Sequence, residues 1–104
     1  LSARARTLES ERAAVKECSD ALGRLSALES RAMKARRRMD DAVSRLDQSY
    51  DLDRLVPLSA TRPPEVPAVS CSADPARAAA KADRAAKGLS DWLKPVEAAL
   101  KAEG

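Results

Sequence analysis

Two cysteines and a run of cations are the residues of this chain with the most chemistry to offer. Cys18 and Cys71 can join as an intrachain disulfide, Cys18 can bond its counterpart in a second copy, or both can remain free thiols that pack as small hydrophobes. The run "RAMKARRRMDD" places Arg31, Lys34, Arg36, Arg37 and Arg38 within two helical turns, a density of donors suited to phosphates or an anionic membrane surface. On a helix Arg31, Lys34 and Arg38 align, whereas Arg36 and Arg37 point elsewhere. Asp40 and Asp41 follow at once and offset part of the field, and no aromatic residues interleave to stack bases. A solvated helix face is therefore the first reading of this cluster, with a polyanion site as the alternative.

Catalysis finds little support. The chain has no histidine, which excludes Ser/His/Asp and Cys/His arrangements, and two cysteines without histidine do not make a zinc site. Asp40 and Asp41 are adjacent and so diverge by about 100° on a helix rather than forming a carboxylate pair. Only Gly23, Gly88 and Gly104 are available, too few and too scattered for a phosphate-cradling loop. We expect a protein that is not an enzyme and carries no cofactor or metal.

Composition narrows the fold. Of the 104 residues 44% are hydrophobic, but about half of those are alanine, and there is one Trp, one Tyr, no Phe and no Ile. A core without large side chains buries too little apolar area to offset chain entropy at this size unless helices pack along narrow stripes. The 34% of charged residues, rich in Arg and Glu, fits long helices or coiled coils. Acids and bases interleave, so the net charge of +3 does not by itself select a polyanionic partner.

The expected architecture is all-α: a long helix over about 3–54, a proline-rich connector over about 57–73, and a shorter helix over about 75–102 kinked at Pro95. In a heptad frame with Leu8 at a, the a positions continue through Val15, Leu22, Glu29, Arg36, Val43 and Tyr50, and the d positions include Cys18, Leu25, Ala32, Met39 and Leu46. Ala14, Ala21, Leu28, Ala35 and Ala42 widen this stripe. Glu29 and Arg36 either meet across an interface or sit where the seam turns to solvent. Asp47, Asp51 and Asp53 oppose the dipole of a helix C-terminus, and Pro57 disfavours helix at Val56. Pro57, Pro63, Pro64 and Pro67 then forbid regular structure, although Leu58, Val66 and Val69 can touch the helices. Asp74 followed by Pro75 signals a new helix with an N-cap and a proline at its first position. Ala78, Ala82, Ala85, Leu89, Trp92, Val96 and Ala99 form its apolar face, with Leu93 and Leu100 beside them, and Trp92 is expected to be the best-packed side chain.

These elements turn the cysteine question into one of reach. A straight helix from Cys18 to Pro57 is roughly 58 Å long, whereas the chain from Pro57 to Cys71 spans at most about 49 Å. An intrachain bond is feasible only if the first helix ends near Leu46 or bends, with the connector running back along it. An oxidised pair favours an extracytoplasmic setting.

Each stripe is wider than one partner helix covers, so the bundle is expected to be completed by self-association or another protein. Leu22, Leu25, Leu28, Met39, Val43, Leu46, Leu89, Trp92, Val96 and Leu100 are the expected core and interaction residues. The function read from the sequence is a helical interaction or scaffold module, homodimeric or heteromeric. The alternatives are a polyanion binder acting through residues 31–38, with nucleic acid and membrane surface the less favoured partners, and a sensory or transport domain, a helical bundle binding a small apolar ligand between its helices.

Overall fold

A computed structural model describes residues 2–101, with side chains described from Glu9 onward. The three helices are α1 (Ser2–Ser44), α2 (Leu52–Ser59) and α3 (Pro75–Lys101). The all-α expectation holds, and α1 packs along α3 in a hairpin-like bundle. Leu8 and Ala102, used in the frame and bounds above, lie outside the residues whose side chains are described.

Helix α1 ends about ten residues earlier than expected. Leu46 adopts a left-handed backbone with φ 51°. The N–H of Asp47 then bonds the carbonyl of Ala42 at 2.9 Å and that of Leu46 bonds Val43 at 3.2 Å, which is the Schellman closure of a helix. Beyond it Asp47 accepts hydrogen bonds from the backbone N–H and hydroxyl of Ser49, forming a tight turn. Asp51 occupies the N-cap position of α2 without a side-chain capping bond, and Asp53 lies in its first turn, where the helix dipole favours a negative charge. Of the acids read as unfavourable at the end of one helix, Asp51 and Asp53 are thus the start of another, and Asp47 holds the turn between them.

Pro57 lies inside α2, so the connector begins after Ser59 rather than at Pro57. Its fixed φ suits a helix, and in a helix of eight residues the missing N–H removes a single bond to Asp53. The hydroxyls of Ser59 and Thr61 donate to the carbonyls of Val56 and Leu58, at 2.7 and 2.6 Å, and close the C-terminal end.

Residues 60–74 run back along α3 without regular structure. Trp92 Nε1 donates to Thr61 Oγ1 at 3.1 Å, Pro64 sits over Gly88, and Glu65 and Pro67 face Lys81 and Ala85. Connector numbers rise as α3 numbers fall, so the two segments are antiparallel. A Cβ at Gly88 would come into van der Waals contact with the Pro64 ring, at 3.4 Å. At the far end Cys71 meets Cys18, and the chain turns into α3. Asp74 Oδ1 accepts from the N–H of Arg77 at 3.1 Å, the N-cap expected from the sequence. Pro95 does not end α3, which continues to Lys101.

The pairings Cys18–Cys71, Arg24–Asp83 and Arg31–Glu97 rise together in both numbers. Helices α1 and α3 therefore point the same way, and α2 with the connector makes the return between them. Their shared core comprises Ala21, Leu25, Ala32, Ala35, Met39 and Ala42 from α1, Leu55 from α2, and Ala82, Leu89, Leu93, Val96, Ala99 and Leu100 from α3. Spacings of three and four from Cys18 to Ala42 make this a heptad seam, but rotated from the expected frame. The d positions Cys18, Leu25, Ala32 and Met39 are buried as read. Their companions are Ala21, Leu28, Ala35 and Ala42, the residues taken as a widening, because alanine lets α3 approach closely there. Val15 is 47% exposed, Glu29 is exposed, and Arg36 pairs with Asp40 on its own helix.

Candidate functional site

Three features of the molecule could serve a function, and each follows from where α3 covers α1. The first is covalent. Cys18 and Cys71 form an intrachain disulfide with a Cα separation of 5.9 Å. This is the condition reached above: α1 ends at Ser44, the return begins early, and the connector has enough length to reach Cys18. Cys18 is fully buried and Cys71 half-buried, so the bridge pins the end of the connector onto the first position of the α1 seam.

The second feature is the stretch of α1 before that staple. From Ser2 to Glu17 the helix continues for roughly 24 Å, at 1.5 Å per residue. From Glu9 to Glu17 every side chain is exposed except half-buried Ala14, and Cys18 is the first buried one. The column of Cys18, Leu25, Ala32 and Met39 ends for a reason visible in the sequence: its next position, Glu11, is charged and exposed. The molecule accordingly measures 68 × 20 × 15 Å, a rod in which one end of α1 projects beyond the three-element body.

The third is electrostatic, and the structure divides the basic cluster as helix geometry predicts. Arg31, Lys34 and Arg38 face a cleft of about 240 Å³ closed on its other side by Glu97, Leu100 and Lys101, with Ala35 at its base. Arg36 lies outside it, 3.6 Å from Asp40, and Arg37 does not reach it either. Arg31 forms an ion pair with Glu97 across the two helices. Asp41 is engaged by Arg45 at 3.0 Å. The two aspartates after the cluster are thus paired locally, Asp40 within α1 and Asp41 with the residue just past its end. Lys101 joins these cations from a position that no sequence spacing connects to them, and only the direction of α3 brings it there.

Of the expected core and interaction residues, Leu25, Met39, Leu89, Val96 and Leu100 are buried, and Leu22, Leu28, Val43 and Trp92 are partly buried against the core. Leu46 is 66% exposed at the helix-ending turn and belongs to no stripe. Trp92 is not the best-packed residue; Met39, Leu55, Leu89, Leu93 and Val96 are more deeply buried. It lies at the edge of the seam because its indole N–H reaches the connector. The stripes are largely consumed within the chain, since α2 and the connector supply the third wall.

Among the described residues no group of three His, Cys, Asp or Glu side chains is placed to hold a metal ion, and no helix is long and apolar enough to cross a membrane. A cleft of about 650 Å³ between connector and α3 is walled by Glu65, Arg77, Lys81 and Arg84 with Pro67 and Ala85. Fold and site together define a disulfide-stapled, parallel helix pair with a proline-rich return. No protein-family model, curated protein or solved structure matches the chain.

Proposed function

We propose that this protein is a non-enzymatic helical interaction module whose binding element is the projecting stretch of α1, residues 2–17. The observation that carries this reading is the continuation of α1 beyond its own seam, with Val15 exposed and α3 starting only opposite Cys18. A helix of this length is marginal in water by itself, and most helical stability in proteins comes from packing an apolar face. A partner helix, from a second copy or another protein, supplies that packing. The body below Cys18 then acts as a rigid holder, and the disulfide keeps that holder closed in an oxidising compartment.

A photo-activatable cross-linker placed at position 15, with a matched one at position 37, tests the proposal. Efficient protein adducts from position 15 and few from 37 support it, including a homodimer if the second copy is the partner. Equal or absent cross-linking at both positions would rule out the projecting segment as the binding element.

A further inference from the structure

We propose that the groove between residues 31–38 of α1 and the last turn of α3 binds a phosphate group carrying two or more negative charges. This site is separate from the projecting segment and stands or falls independently of it.

In parallel helix pairs the residues flanking the seam normally carry opposite charges on the two partners. Arg24 with Asp83, and Arg31 with Glu97, follow that rule. The next level breaks it: Lys34 and Arg38 of α1 share a cleft with Lys101 of α3. The acids that could compensate are otherwise engaged, with Glu97 on Arg31, Asp40 on Arg36 and Asp41 on Arg45. Among the described residues no carboxylate pairs with Lys34, Arg38 or Lys101. Lys101 alone is explained by the carbonyl end of its own helix, which favours a cation. Lys34 and Arg38 lie before the last turn of α1, beyond the reach of its own dipole end.

Lys34, Arg38 and Lys101 line one cleft from two helices, beside the Arg31–Glu97 pair, and an anion between them would offset their mutual repulsion. A phosphate offers enough oxygens to bond an ammonium and a guanidinium at once. The apolar base of Ala35 and Leu100 lowers the local dielectric and strengthens those bonds. The volume of about 240 Å³ admits one or two phosphoryl groups, and the lining has no aromatic residue to stack a base. The ligand chemistry is therefore the phosphate itself, borne by a small molecule or by a lipid headgroup.

Titration calorimetry and thermal melting with inorganic pyrophosphate, at physiological ionic strength, test this on the intact oxidised chain. The site predicts saturable one-to-one binding and a rise in melting temperature. Lys34→Gln and Lys101→Gln each weaken binding by about tenfold or more, whereas Arg37→Gln leaves it unchanged. Lys34, Arg38 and Lys101 are exposed, so these substitutions leave the core intact. Lys101→Glu gives a second, opposite readout: it raises the melting temperature without ligand and abolishes the pyrophosphate response. Vesicles of phosphatidylcholine with phosphatidic acid separate the sources. Binding to them alone, lost on the same substitutions, assigns a headgroup; binding of pyrophosphate assigns a free ligand. No saturable binding of either probe, or an equal loss with Arg37→Gln, overturns the proposal.

Discussion

At the scale of single residues, Leu46 and Asp47 decide where the first helix stops. A left-handed backbone costs a branched side chain about 1–2 kcal/mol, and glycine loses that penalty while paying about 0.5–1 kcal/mol in unfolded-state entropy. Leu46→Gly is therefore expected to stabilise the protein by up to about 1 kcal/mol, read as a higher urea midpoint, because Leu46 is exposed and gives up no core packing. The two hydrogen bonds from Ser49 to Asp47, side-chain first, hold its carboxyl below the ordinary value of 3.8. A depressed folded value means that the stabilisation is complete above about pH 3.8 and is lost as the pH falls through the lower folded value. Asp47→Ala should accordingly be less stable than the parent at pH 6, and the difference should shrink below that range when denaturation is followed against pH.

Neither residue announces itself in the sequence. A Schellman closure is ordinarily marked by glycine, and "SRLDQSY" carries none, so the end of α1 is not visible there as a local signal. The start of α3 is legible because Asp74 and Pro75 both act locally, one through its side-chain oxygen and the other through its fixed φ. The rotated seam was hard to read because alanine is compatible with core and surface alike. Only the spatial partner decides which alanine column is covered.

At the scale of elements, the α1 seam depends on small residues that admit α3 and on a few large ones that fill the remaining space. Leu93 is 1% exposed at its centre, and Leu93→Ala is expected to cost about 2–5 kcal/mol by chemical denaturation. Gly23 lies on α1 with nothing within 4 Å of the position a Cβ would take. Gly23→Ala should stabilise by about 0.5–1 kcal/mol through helix propensity alone, and a change of opposite sign would mean that another surface covers this face. Gly88, the other glycine within a helix, differs in that a Cβ there would touch the Pro64 ring at 3.4 Å. The apolar face of α3 was legible residue by residue; the direction in which it runs relative to α1 was not, since periodicity fixes a face and carries no orientation.

For the whole molecule, the disulfide joins residues separated by 53 positions and fixes the connector as the return between two parallel helices. Chain-entropy arguments give about 4 kcal/mol for a loop of that length, so reduction or the double change Cys18→Ser, Cys71→Ser should lower stability by about that amount in urea titrations. The sequence could bound this bond by reach and state the condition for it, an early end to α1. It could not choose among the pairings, because that choice rests on the turn at Leu46.

The claim on which the functional reading turns is that α1 is covered by its own chain from Cys18 onward and uncovered before it. Amide hydrogen exchange across a concentration series, on the oxidised protein, tests this most directly. In the dilute chain the amides of residues 9–17 should exchange far faster than those of residues 21–42, and should gain protection as the protein is concentrated or a cross-linked partner is added. Protection that is uniform along α1 at the lowest concentration would contradict the account.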